Sequence, residues 1–350
     1  MNESYLRIIA ASDDDRRGLF LTSAQRLGTT LQNIEKDFWV CWTLDALFRR
    51  LPSGGPRLLF KGGTSLSKGY NLISRFSEDI DITVFRDDIG ARASVKELAQ
   101  LTKTARGKRL DGIKEVCQTY VNGSLLGTLR EHAAQTMVAI GHDPARLTVA
   151  ADLDDPDEQS LLIRYPSVAD GGGYVPPVIK IESGAKSALD PHEARTIIPY
   201  LSTDVPDGDA LAVVGVTTID PERTFLDKVL VLHGLPIFFE KNKKFYGAGR
   251  VSRHYYDIHR MVGEPVGKKA CTDAALIEDC VNHARTFFYR KDTGLEDVKR
   301  GAFRLTPSGD IVDRLRRDYD AMAAMIFGDV PDFKVVLDSI ATAEVWLNDA

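Results

Sequence analysis

The chain has 350 residues, enough to bury a large core and to divide into two domains. Charged residues make up 27% and hydrophobic ones 43%, ordinary globular values, and the formal net charge is −5. That balance excludes a surface that is basic all over, so nucleic-acid binding would need a local patch. The N-terminal stretch Met1–Arg7 carries no long apolar segment, and no run approaches the roughly 18 apolar residues of a membrane span. A cytoplasmic protein with no membrane partner is expected. Cys41, Cys117, Cys271 and Cys280 form neither a Cys-x-x-Cys nor a zinc spacing, and read as reduced thiols, three of them core residues by default.

In chain order, residues 14–50 read as helical, with Phe38, Trp39, Trp42, Leu44, Leu47 and Phe48 forming a broad apolar stripe. Leu51–Pro56 ends that run with Pro and Gly. Residues 57–60 predict a short strand, 64–74 a helix and 79–85 a strand. Residues 92–141 read as two helices. The segment Asp152–Glu158 holds five acids in seven positions but lacks the Gly and terminal Glu of a calcium loop, so a solvated connection is expected. Strands are expected at 160–165 and 177–183, with Gly171–Gly173 as the turn between them, and further ones at 195–198 and 212–217. From Asp220 the pattern turns helical, near 221–233, 250–262, 268–288, 308–327 and 333–347. The domain boundary is set near 218.

The chemistry concentrates at Lys61-Gly62-Gly63-Thr64-Ser65, followed by Asp79-Ile80-Asp81-Ile82. Glycine without a Cβ takes positive φ and lets the backbone approach a ligand. Thr64 or Ser65 is expected to cap the following helix, whose first N–H groups suit a triphosphate. In the next strand, Ser77, Asp79 and Asp81 share one face, with Ile80, Ile82 and Val84 on the other. Two carboxylates roughly 5–7 Å apart at Cβ can share divalent ions, Mg²⁺ or Mn²⁺, which clamp the oxygens of a phosphoryl displacement.

At these residues the chain resembles the AbiEii/MenT nucleotidyltransferase toxins, within the DNA polymerase β-like nucleotidyltransferase superfamily. Phe60–Lys68 and Arg75–Ile82 carry the resemblance, Ile34–Trp39 is similar to the helix preceding the signature, and Arg253–Ile258 is similar to the family's Arg-x-x-x-Asp-Leu segment. The resemblance implies an α/β (α+β) fold: a polymerase β-like core over residues 1–218, with a small mixed sheet flanked by helices, and a mainly helical C-terminal domain over 219–350. It also implies a toxin of a toxin–antitoxin or phage-defence pair. Such a toxin transfers NMP from an NTP to an RNA acceptor, the tRNA 3′ end, halts translation, and has a cognate antitoxin encoded nearby.

In that reading Asp79 and Asp81 hold the metal, and Lys61, Gly62, Gly63, Thr64, Ser65 and Ser77 surround the nucleotide. Superfamily sites need a third carboxylate on a neighbouring strand. In Val178-Ile179-Lys180-Ile181-Glu182, Lys180 and Glu182 share a face, joined imperfectly by Val178. Glu182 then serves as third ligand or base, and Lys180 offsets charge on the triphosphate. Asp227 is the rival third acid, and Asp227-Lys228 resembles the family's acid–lysine pair. Asp257 reads equally well as a carboxylate bonded to Arg253. Lys241, Lys243, Lys244, Arg250 and Arg253, interleaved with Phe245, Tyr246, Tyr255 and Tyr256, form a candidate RNA patch. The tyrosines could equally belong to the core.

His254 and His259 do not share a helical face and are not expected to bind metal. No P-loop, His-Glu-x-x-His or Gly-x-Ser-x-Gly motif is present. Two other classes stay open: a transferase acting on a small, aminoglycoside-like acceptor, and a non-catalytic nucleotide-binding protein.

Overall fold

The computed structural model describes residues 2–169, 177–244 and 250–349. The expected turn at Gly171–Gly173, with Phe245 and Tyr246, lies outside the described residues.

Helices α1 (Glu3–Ala10), α2 (Asp13–Leu27) and α3 (Leu31–Arg49) open the chain. The expected single run over 14–50 is broken for a local reason. Gly28 takes the left-handed conformation and its N–H bonds back to Ala24 and Gln25, closing α2, and the Thr30 side chain caps α3. Strand β1 (Leu58–Lys61), helix α4 (Gly62–Lys68) and strand β2 (Ile80–Val84) follow. Next come α5 (Val95–Ala99), α6 (Lys103–Tyr120), a π turn at Val121–Leu125 and α7 (Leu126–Ala139). Strands β3 (Thr148–Ala151), β4 (Ser160–Arg164), β5 (Val178–Gly184), β6 (His192–Ile197) and β7 (Val213–Ile219) complete one sheet, of which β3 was not anticipated. Helices α8 (Pro221–Asn242), α9 (Ser252–Val262), α10 (Pro265–Thr272), α11 (Ala274–Phe287), α12 (Asp310–Met322) and α13 (Phe333–Asn348) end the chain.

The chain forms two compact units: Met1–Gly69, Phe76–Ala93 and Gly107–Thr218 in the first, and Tyr70–Arg75, Ser94–Arg106 and Ile219–Ala350 in the second. The first unit holds a seven-stranded mixed sheet in the order β3-β4-β5-β2-β1-β7-β6. β2 is antiparallel to β1 and parallel to β5, so both expected carboxylate strands sit side by side near the sheet centre. α3 is buried along nearly its whole length, charged residues included. Glu35 accepts hydrogen bonds from the Ser167 hydroxyl at 2.5 Å and the Val168 N–H at 2.7 Å. Lys36 pairs with Glu78 at 2.7 Å, and Asp37 pairs with Lys68 at 2.7 Å while accepting from the Tyr200 N–H at 2.6 Å. All four cysteines are buried free thiols.

The second unit is built from helices, with α9 packed against α8, α10, α12 and α13. Its interior holds a charged cluster on α9. Asp257, fully buried on α9, accepts two hydrogen bonds from Arg75, at 2.7 and 2.8 Å, and lies 2.9 Å from the Lys228 ammonium. This corrects the expected Arg253 partner: Arg253 is exposed, whereas the paired guanidinium comes from a residue remote in sequence. Burial alone would push the Asp257 carboxyl up, but Arg75 and Lys228 outweigh it and hold the group well below the usual carboxylate range. Removing one partner of a buried cluster strands the others, at about 3–5 kcal/mol. Asp257→Asn should therefore lower the denaturant midpoint by a corresponding amount. Because the folded pKa is depressed, the wild-type contribution is complete above about pH 4, the unfolded value, and fades as pH falls below it. The loss from Asp257→Asn should shrink in parallel when denaturation is repeated in acid.

Candidate active site

Strand pairing brings three predicted residues into one row. Lys61 on β1 stands opposite Asp81 on β2, and Asp81 stands opposite Glu182 on β5. Adjacent strands lie about 4.8 Å apart, so the three side chains rise side by side from one face of the sheet. Alternation on each strand supports this: Ile80, Ile82, Ile179 and Ile181 are buried, while Asp81, Lys180 and Glu182 reach the surface.

Gly62 fixes how close the turn and the acid come. Its φ is +78°, and a Cβ placed there would stand 2.0 Å from Asp81 Oδ2. Only glycine permits both the conformation and the approach. Helix α4 starts at Gly62 rather than at 64 and ends at Lys68, short of the expected 74. Thr64 and Ser65 do not cap it. Both are buried, at 1% and 0% exposure. The Thr64 hydroxyl donates to the Asp79 carbonyl and lies 2.9 Å from the Ser77 hydroxyl, while Ser65 donates to the Gly62 carbonyl at 2.9 Å. These hydroxyls shape the turn through those bonds. Ser77 lies outside β2, and Asp79 immediately precedes the strand.

Asp79 lies among these charges and is largely buried. Burial raises its pKa, then the negative charges of Glu78, Glu182 and Asp81, to about 6, with Lys36 partly offsetting them. Asp79, Asp81 and Glu182 therefore sense one another. Lys61 Nζ stands 3.6 Å from Asp81 Oδ1, and Lys180 Nζ stands 3.3 Å from Glu182 Oε1. Lys180 also lies 3.2 Å from Asp152 Oδ2. Burial pushes the Lys180 ammonium down, but Asp152 and Glu182 outweigh it and keep it charged.

Asp152 was missed in the sequence, where its acidic segment read as solvated. Asp152 is in fact largely buried beside Lys180, and Asp155 ties the loop down by accepting from the Ser160 hydroxyl and the Gln159 N–H. Lys36 and Glu78, also not singled out, complete the surroundings of Asp79. No signal short of the fold connects these residues.

The donor set suits a hard divalent cation: carboxylate oxygens, no thiolate, no imidazole. Among the described residues no three His, Cys, Asp or Glu side chains close into a preformed cage. That fits an ion held by one or two carboxylates together with substrate phosphates.

The remaining predicted residues lie in the second unit. Lys228 is buried and engaged with Asp257, and Asp227 lies 3.9 Å from Arg223. Lys241, Lys243, Lys244, Arg250 and Arg253 are exposed, and Lys241 pairs with Asp292 at 2.9 Å. Tyr255 and Tyr256 are core residues, so neither offers a ring to a base. His254 and His259 are each half-buried on α9. Among the described residues no helix is long and apolar enough to cross a membrane.

The profile of a family described as "Nucleotidyl transferase AbiEii toxin, Type IV TA system" matches residues 45–339. Among solved structures the chain is similar to MenT4, the nucleotidyltransferase toxin Rv2826c from Mycobacterium tuberculosis H37Rv. The two are 16% identical with a TM-score of 0.48, over 95% of this chain and 90% of that one. No curated protein sequence matches the chain. The profile spans most of the sequence and contains the whole Lys61–Asp81–Glu182 row: this chain belongs to the AbiEii family of nucleotidyltransferase toxins.

Proposed function

We propose that the chain transfers NMP from a nucleoside triphosphate to the 3′ end of an RNA, a tRNA, and thereby blocks translation in the cytoplasm. In this reading it acts within a toxin–antitoxin pair of phage-defence type, restrained by a cognate antitoxin. The observation that carries the reading is Asp81 seated against the Gly62 turn, with Glu182 beside it, Asp79 within electrostatic reach of both, and a lysine beside two of the three.

The acceptor's 3′ oxygen attacks the α-phosphorus, the bond to pyrophosphate breaks, and pyrophosphate leaves with that electron pair. Glu182, half-exposed at the end of the row, takes the hydroxyl proton. Lys180, held charged by Asp152, faces the negative charge that builds on the leaving phosphates. Lys61 and the backbone of Gly62 and Gly63 line the nucleotide, with Thr64, Ser65 and Ser77 fixing that backbone from within. A Mg²⁺ or Mn²⁺ ion held by Asp79 and Asp81 would supply Lewis-acid stabilisation of the phosphate oxygens. Lys228 serves Asp257 within the second unit, and neither Asp227 nor Lys228 is assigned a part in the transfer step.

Asp79→Asn and Asp81→Asn should each reduce transfer of label from α-labelled triphosphate into total RNA to background, with an unchanged denaturant midpoint. Full transfer by both variants would end the assignment. Gly62→Ala displaces the Asp81 carboxylate and strains a positive φ, so transfer should fall about a hundredfold, as an ångström-scale misplacement does. Lys243→Glu with Lys244→Glu should weaken use of an RNA acceptor through lost phosphate contacts. An unchanged rate on RNA would favour a small acceptor instead.

A further inference from the structure

The row of Lys61, Asp81 and Glu182 continues onto β4, where Ser160 stands opposite Glu182. The Asp152 N–H donates to the Ser160 carbonyl at 2.9 Å, so Asp152, one place beyond β3, comes next in the row. Residues directly opposite one another on neighbouring strands share a face, which puts Asp152 on the same side of the sheet as Asp81 and Glu182. Lys180 lies two residues from Glu182 along β5 and therefore belongs to this face as well.

The Lys180 ammonium is shared between two acids, at 3.2 Å from Asp152 Oδ2 and 3.3 Å from Glu182 Oε1. The distances match, but the surroundings do not. The Asp152 side chain is 10% exposed and that of Glu182 46%. Attraction between charges strengthens as water is excluded, so the Asp152 contact is the firmer of the two. Asp152 is also oriented: its Oδ1 accepts from the Asp154 N–H at 3.1 Å, which leaves Oδ2 directed at the lysine.

The loop that carries Asp152 is held by its own backbone donors and from outside. Asp155 accepts from the Asp157 and Gln159 N–H groups, each at 2.9 Å, and from the Ser160 hydroxyl at 2.7 Å. From α6 and the π turn, Gln118 donates to the Asp157 carbonyl and Asn122 to the Glu158 carbonyl, both at 2.8 Å. A lysine that faces phosphate charge must let go of one carboxylate without losing its place. A lysine held by Glu182 alone would occupy that carboxylate when it has to receive a proton.

We propose that Asp152 is a positioning residue of the transfer reaction: it keeps the Lys180 ammonium in place while Glu182 releases the lysine and takes the acceptor's proton. The proposal rests on the parts assigned above to Lys180 and Glu182, and adds which acid anchors the lysine.

Two measurements on the full chain test it, one of them independent of turnover. With ¹⁵N-labelled lysine, the Lys180 Nζ resonance is assigned by its loss in Lys180→Ala. It should survive Glu182→Gln and be lost in Asp152→Asn, where the ammonium exchanges freely with water. Survival in Asp152→Asn, loss in Glu182→Gln, or a signal missing from the wild type would each overturn the anchor. The second measurement is label transfer from α-labelled triphosphate into total RNA. Asp152→Asn should lower apparent kcat about a hundredfold, the effect of an ångström-scale misplacement, with KM for the triphosphate nearly unchanged. Lys180→Ala should lose at least as much, and adding Asp152→Asn to it should lower the rate no further, because both changes act through one group. A carboxylate that merely supports the fold would slow both backgrounds alike, and that result overturns the proposal, as does a wild-type rate in Asp152→Asn. A wild-type rate in Lys180→Ala removes the part assigned to Lys180 and the anchor with it, while Asp79→Asn and Asp81→Asn still decide the transferase reading.

Discussion

The seat of the Asp81 carboxylate against the Gly62 turn is the constraint around which the first unit is arranged. A side chain at position 62 would occupy the space of the carboxylate itself, so the turn and β2 can approach only through an atom that glycine lacks. Antiparallel pairing of β1 and β2 then sets Lys61 beside Asp81, and parallel pairing of β2 and β5 sets Glu182 on its other side. A shift of one residue in either register would turn these groups to the opposite face and bury them among the isoleucines. Thr64 secures the remaining freedom by donating to the carbonyl of Asp79, the residue that leads into β2.

Behind this face stands α3, a helix whose three consecutive charged residues each hold a different part of the unit. Glu35 fastens residues 167 and 168, Lys36 fastens Glu78 next to Asp79, and Asp37 fastens both the end of α4 through Lys68 and the Tyr200 backbone. Lys68 also lies 3.6 Å from the centre of the Tyr200 ring. Buried ion pairs add little net stability over apolar packing, but breaking one is costly. Their directional hydrogen bonds do what apolar contacts cannot: they fix which segment docks where. α3 thereby orients the chain on both sides of the carboxylates.

The part of the site legible in the sequence is the part whose cause is local. Positive φ at Gly62 and alternation along residues 80–84 and 178–182 depend only on near neighbours, and both could be read in advance. Gly28 and Thr30 carried an equally local signal for the break between α2 and α3, which the apolar stripe of 38–48 obscured. Thr64 and Ser65 misled for a different reason: a hydroxyl at a helix start is usually a cap, and here tertiary acceptors, the Asp79 and Gly62 carbonyls, took precedence. Asp152, and the Arg75 partner of Asp257, depend on strands and helices far apart in sequence. Spacing could not disclose either. Tyr255 and Tyr256 look like surface rings when read with their basic neighbours, yet the periodicity of α9 turns them into the core.

Electrostatic balance at the sheet face gives the proposed chemistry its direction. Glu78, Asp81 and Glu182 each have a lysine at hand, in Lys36, Lys61 and Lys180. Asp79 has no ion pair of its own among the described residues, and burial with the neighbouring negative charges raises its pKa to about 6. A triphosphate arriving alone would bring several more negative charges to this face and be repelled by it. In the proposed reading, a divalent cation held by Asp79 and Asp81 would offset that charge.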